Sequence, residues 1–224
     1  MLSDLLYSLK ETEFFFNLFG YISFRSGLSL VTSFFIVIIL MPHWIRFQKS
    51  IFPSGQPIRN DGPDTHYHKK GTPTLGGVLI LFSIILSSIL WTSNFSSFNY
   101  ILILTLTLFG LIGLVDDFQK VKLGKGISSK TKFLSQLLAT LIIYLTIKYN
   151  GFDLNNFSIP FLKDVSIELG YLYFVLILLI VIGSTNATNL TDGLDGLVSM
   201  PLIFVFLTFA IFAYVLGLSL IHIS

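Results

Sequence analysis

Residues Gly71–Val115, GTPTLGGVLILFSIILSSILWTSNFSSFNYILILTLTLFGLIGLV, run for 45 positions without a single Asp, Glu, Lys or Arg. A helix that crosses a bilayer needs roughly 20 mainly apolar residues. This run holds two such helices, and its polar break Thr92–Asn99 (TSNFSSFN) supplies the turn between them. Continuous Leu, Ile and Phe without in-out alternation excludes the strands of a membrane barrel. Uncharged runs recur at Ser26–Ile45, Phe133–Ile147, Leu169–Thr191 and Gly196–Ser224. The pattern predicts six spans: Tyr21–Ile45, Leu75–Trp91, Tyr100–Val115, Phe133–Tyr149, Tyr171–Gly183 and Leu197–Leu218. The expected fold is all-α, a polytopic transmembrane helical bundle forming a single integral membrane domain over residues 1–224.

The composition agrees. Hydrophobic residues make up 53% of the 224 and charged residues 12%, about half the share usual in soluble domains. Mean hydropathy is +0.80. A soluble fold of this size has too little core to hide that much apolar surface. The absence of cysteine excludes a disulfide scaffold, and the low charge excludes disorder. The first apolar run is too long for a cleaved signal peptide, and Glu11 and Glu13 precede it where basic residues belong, so it is expected to be a retained helix. Trp44, Trp91, Tyr100, Tyr149 and Tyr171 fall near span ends, as interface anchors do.

Six spans put His43–Thr74, Asp116–Lys132 and Thr185–Gly196 on one side of the membrane. That side carries Arg46, Lys49, Arg59, Lys69, Lys70, Lys120, Lys122, Lys125, Lys130 and Lys132, ten of the 14 basic residues, so it is read as cytoplasmic. Asn150–Gly170, with Lys163, then forms a small external hairpin.

The uncommon residues gather in the same three cytoplasmic segments. The first, Gln56–Gly77 (QPIRNDGPDTHYHKKGTPTLGG), leads into the second span, whose free N–H groups and positive dipole end face the loop. With Lys69, Lys70 and Thr74 these make a phosphate site; the alternative is a basic loop obeying the charge rule before a Thr-Pro helix start. The second segment opens with Asp116 and Asp117, followed by Lys120, Lys122 and Lys125. Read as lying at a helix C-terminus, adjacent carboxylates oppose the dipole and repel each other. A bound Mg²⁺ would account for both, since it bridges carboxylates to substrate phosphates. An ion pair with Lys120, three to four residues on, is the structural alternative. The third segment, Asn186–Gly196 (NATNLTDGLDG), spaces Asn186, Asn189, Asp192 and Asp195 three apart. Gly193 and Gly196 suggest a broken helix or turn converging on a ligand, although Asp192 or Asp195 could simply cap the sixth helix. His66 and His68 lack the spacing of a helical zinc pair, and no Walker or dinucleotide glycine motif occurs.

Together, QPIRNDGPDTHYHKKGTPTLGG, LVDDFQK and NATNLTDGLDGL resemble the polyprenyl-phosphate N-acetylhexosamine-1-phosphate transferases of bacteria, in order and spacing over nearly the whole chain. The long first motif is similar to the branch that uses UDP-N-acetylmuramoyl-pentapeptide (UDP-MurNAc-pentapeptide) rather than to the branch that transfers N-acetylglucosamine phosphate. The resemblance implies a Mg²⁺-dependent phosphotransferase of the cytoplasmic (inner) membrane in peptidoglycan synthesis. Its donor would be UDP-MurNAc-pentapeptide, its acceptor undecaprenyl phosphate, and its products lipid I and UMP. It further implies Asp116 as base or nucleophile, Asp117 supporting the metal, Asn189 as a metal ligand, and Asp192 and Asp195 at the nucleotide. Lys70, Lys120 and Lys125 would meet phosphates, with Thr74 and Asn186 lining the substrate site. A homodimer suits the resemblance; a nucleic acid is not expected as a partner. The family fold continues through more spans and two later motifs, so the chain is expected to be C-terminally truncated and by itself inactive, with residues 218–224 a non-native tail.

Two other classes compete. A CDP-alcohol phosphotransferase would need an Ala-Arg within its aspartate array, which DGLDGL lacks. A transporter or membrane scaffold would suit broken helices with acids at the midplane, but these acids lie at an interface. Metal-dependent UMP release separates the transferase from both.

Overall fold

The computed structural model describes residues 2–53, 73–159, 166–192 and 196–223. Every expected span is a helix. A short α1 (Leu2–Ser8) and two 3-10 stretches, Leu9–Glu11 and Phe14–Gly20, precede α2 (Ile22–Ile51). Then come α3 (Gly76–Trp91), α4 (Ser97–Leu123) and α5 (Ser129–Tyr149). The external hairpin expected at Asn150–Gly170 contains β1 (Asn156–Ser158) paired antiparallel with β2 (Ser166–Glu168), Phe157 opposite Ile167. α6 (Leu172–Thr191) and α7 (Ser199–Ile223) complete the chain. Five of these helices are long and apolar enough to cross a membrane, and α3 is a shorter apolar one. The protein is an all-α, multi-pass membrane protein with one small β-hairpin.

Helices outrun the spans read from the sequence. α2 continues six residues past Ile45, α4 eight past Val115, and α6 eight past Gly183. A charged or polar residue ends an apolar stretch, but it does not end the backbone hydrogen-bond ladder. Arg, Gln and Lys are good helix formers. α4 stops where glycine permits it: Gly124 takes φ 74°, and its N–H donates to the Lys120 carbonyl at 3.0 Å. α5 then starts on a true cap, with Ser128 Oγ accepting the Thr131 N–H at 3.1 Å. α3 begins after Thr74 with Leu75 at its N-cap, so Pro73 precedes the helix rather than opening it.

The chain forms two compact units, Met1–Asp153 and Leu154–Ser224. In the first, α2 pairs with α3, α3 with α4, and α4 with α5. An indole ties each end of the α2–α3 pair. Trp44 Nε1 donates to the Leu75 carbonyl at 3.0 Å, and Trp91 Nε1 donates to Thr32 Oγ1 at 2.9 Å while stacking on Phe19 at 6.0 Å. The two tryptophans thus join helices as well as sitting near span ends, whereas Tyr149 and Tyr171 are about nine-tenths exposed, as interface anchors should be.

The core of this unit combines apolar Leu79, Ile101 and Ile143 with small and polar side chains. Ser83, Ser87, Gln136 and Thr140 are among its most buried residues. The Ser83, Ser87 and Thr140 hydroxyls are satisfied by carbonyls of their own helices. Gly110 faces α3 so closely that a Cβ there would overlap Leu81. Small residues at helix contacts and large apolar ones facing outward are the arrangement expected in lipid. The outward residues include Leu30, Phe34, Ile39, Leu102 and Leu138.

Candidate active site

The site forms on the polar extension of α4, past its apolar stretch. The seven residues Asp117–Leu123 continue α4 beyond Asp116, so the two aspartates are not at its C-terminus. The dipole acts within the last turn and does not explain their setting. Lys120 does. Its Nζ lies 2.7 Å from Asp116 Oδ2 and 2.9 Å from Asp117 Oδ1, one turn along the same helix. The ammonium bridges the pair and offsets much of their mutual repulsion. The ion-pair alternative raised by the spacing is therefore present, and it joins both carboxylates.

Asp116 is buried, with 6% of its surface exposed, and it has partners on both oxygens. Oδ1 accepts the Ile127 N–H at 3.0 Å. Oδ2 faces Lys120 and, at 4.0 Å, Lys132 Nζ from the first turn of α5. Gly126 packs against the carboxylate from the α4–α5 loop. Asp117 is far more open, its side chain 37% exposed. Lys125 is exposed in the loop, and Lys122 is exposed with its Nζ 6.0 Å over the Phe118 ring. The sequence grouped Lys132 with topological lysines, and nothing in it marked Gly126 or the Ile127 N–H. These depend on how the loop closes over Asp116.

Of the first segment, Lys70 lies outside the described residues. Thr74 is half-buried at the start of α3, in a small recess with Gln48, Phe52, Leu75 and Val121. Phe52 meets Phe118 edge-on at 5.9 Å, which brings the end of α2 against the extension of α4 just beyond Asp117. Within this unit, the structure thus gathers the end of α2, the start of α3 and the aspartate helix.

The third segment belongs to the second unit and is more regular than its glycines suggested. Asn186 and Asn189 both lie on α6, three residues apart and so on one face. Asn186 is half-buried and its Nδ2 donates to the Ile182 carbonyl at 2.9 Å; Asn189 is exposed. Asp192 is the C-cap of α6, not a cap of α7, which starts at Ser199. Asp195 lies outside the described residues.

Among the described residues, no three His, Cys, Asp or Glu side chains gather to hold a metal. The aspartate pair nevertheless suits Mg²⁺. Its carboxylates already share a cation, the Lys120 ammonium, and they offer hard oxygen donors. Mg²⁺ binds through one or two carboxylates and takes its remaining ligands from water and substrate phosphates.

Residues 99–224 match the model of glycosyl transferase family 4, and the chain belongs to that family. The match includes both the Asp116–Lys132 site and the α6 segment. The chain is also similar to several proteins named phospho-N-acetylmuramoyl-pentapeptide-transferase. It is 45% identical to that of Desulforapulum autotrophicum over 218 residues, 96% of this chain and 60% of the relative. It is 40% identical to those of Rickettsia prowazekii and Desulfotalea psychrophila, over 97% of this chain and 61% of each relative. The chain therefore spans about three fifths of the length of these relatives.

Proposed function

We propose that the complete protein transfers phospho-N-acetylmuramoyl-pentapeptide from UDP-MurNAc-pentapeptide to undecaprenyl phosphate, releasing UMP and leaving lipid I. The observation that carries this reading is the similarity of nearly the whole chain to transferases of that name, beside which stands this chain's bridged carboxylate pair. The basic side of the bundle, which holds this pair, is the cytoplasmic side of the bacterial inner membrane, where a soluble nucleotide can meet a lipid confined to the bilayer.

Phosphoryl transfer between two anions needs alignment and charge neutralisation more than covalent help. Asp116 is the base: it takes the proton of the lipid phosphate, whose oxygen then bonds to the phosphorus attached to the sugar as the bond to UMP breaks. Its burial and its tether to Ile127 suit a fixed base better than a nucleophile that must approach phosphorus in line. Lys120 and Lys132 neutralise the incoming phosphate next to Oδ2. Lys70, Lys125 and Thr74 hold the pyrophosphate, and Asn186, Asp192 and Asp195 the nucleotide. Asp117 on α4 and Asn189 on α6 would each offer an oxygen to Mg²⁺, which when bound would supply further neutralisation of phosphate charge.

The test is UMP release by the complete protein in membranes supplied with both substrates. Release that requires Mg²⁺ and falls by at least about a hundredfold in Asp116→Asn is expected, the usual lower range for removing a general base. No release from a folded complete protein would sink the assignment and favour a transporter or scaffold.

A further inference from the structure

We infer that the α4–α5 loop is a cradle that fixes which oxygen of Asp116 reacts, and that Gly126 is its positioning residue. The inference rests on the reading of Asp116 as the base. The two carboxylate oxygens are not equivalent. Oδ1 is held by the Ile127 N–H at 3.0 Å, from the backbone of the loop itself. Oδ2 faces the two ammonium groups, Lys120 at 2.7 Å and Lys132 at 4.0 Å. A proton can be taken where an anionic substrate can be neutralised, which is at Oδ2; Oδ1 is the anchoring oxygen.

Gly126 makes that arrangement possible. A Cβ on residue 126 would fall on Asp116 Oδ1 and come within 3.2 Å of Lys120 Cε. The backbone there is not in the left-handed region, unlike Gly124 at φ 74°. Alanine is therefore not barred by a left-handed backbone; what it meets is the carboxylate first and the flexible Lys120 stem second. The relief is local: Asp116 turns about its own side-chain bonds, loses the Ile127 N–H and presents a different oxygen to Lys120. The effect of Gly126→Ala falls on the aspartate rather than on the fold.

The first test needs no turnover. In this chain, carbodiimide coupling of glycine ethyl ester, read by peptide mass spectrometry, reports the reactivity of Asp116 against Asp117. In the wild type Asp116 is the less labelled of the two, in keeping with its burial. Gly126→Ala is expected to raise the Asp116 to Asp117 ratio several-fold. An unchanged ratio overturns the cradle. Hydrogen exchange at the Ile127 amide gives a second reading with residue 126 intact. Asp116→Ala removes the acceptor and speeds exchange there by about tenfold or more, whereas unaltered exchange also overturns it. In the complete protein, Gly126→Ala is expected to lower kcat for UMP release about a hundredfold, the loss typical of a 1 Å misplacement. The donor KM should change far less than kcat, because Gly126→Ala leaves the side chain of Lys125, the loop residue given to the donor's pyrophosphate, in place. A loss expressed only as a raised KM, with kcat unchanged, contradicts a positioning role. A wild type that releases no UMP sinks the transferase reading alone, since labelling and exchange still judge the cradle.

Discussion

Among the described residues, Asp116 is the one buried side chain that carries a charge, and everything around it compensates for that. An ionised carboxylate out of water is costly unless it is paired and hydrogen-bonded. Lys120, Lys132 and the Ile127 N–H supply both. Removing one partner leaves the buried charge exposed to that cost. Lys120→Met is therefore expected to lower unfolding free energy by about 1–3 kcal/mol, below the fully buried range because the lysine is 24% exposed. Lys122→Met, which loses only a distant contact with Phe118, should change it by less than about 0.5 kcal/mol. Equilibrium unfolding in mixed micelles compares the two, and equal effects would deny Lys120 its bridging role. Much of this site was legible: two adjacent acids followed by lysine three and four residues on can only meet on a helix. Lys132 and Ile127 were not legible, because their approach is set by a loop whose closure no local pattern encodes. The same holds for the cramped space at Gly126.

Elements were legible in number and kind, and their ends were not. Charge placed the limits of each apolar run, and those limits are membrane boundaries. Helix ends answer to capping, so α4 runs on to Gly124 and α6 to Asp192, past every polar residue that had been read as a break. Asn186 and Asn189 are thus helix-borne groups, while the break expected from the glycines falls later, with Asp192 past the end of α6 and Gly196 in a turn at φ 82°. The side-chain cap of α5 also serves the site. Ser128 Oγ accepts the Thr131 N–H and contacts Thr131 Oγ1 at 2.8 Å, fixing the start of α5 directly after the residues that hold Asp116. Ser128→Ala is expected to cost about 1 kcal/mol, as losing an N-cap does. Because the fraying begins next to Ile127, hydrogen exchange should quicken at Ile127 and Thr131 before it does at the middle of α5. Uniform quickening along α5 would mean that the cap does not act locally.

At the scale of the whole molecule, lipid is the missing solvent. In the apolar windows of α2 and α7 no residue is buried inside the protein, and in that of α4 only 6% are, so these faces need an apolar cover, from acyl chains or from other helices. Charge predicts which way the bundle faces: the six spans read from the sequence assign ten of the 14 basic residues to the side of the α4–α5 loop. The chain has no cysteine, so a single introduced thiol reports its own side without interference. Lys125 lies exposed in the α4–α5 loop, and Ser96 lies exposed at the other end of α4, just before its first turn. A membrane-impermeant maleimide should label Lys125→Cys in inverted vesicles and Ser96→Cys in intact spheroplasts, each poorly in the opposite preparation. Labelling of both from one side would mean that α4 does not cross the bilayer. Full reversal would leave the crossing intact but turn Asp116 away from the cytoplasm. A nucleotide-linked donor could not reach it there, and the proposed reaction would fail on topology before any question of chemistry arose.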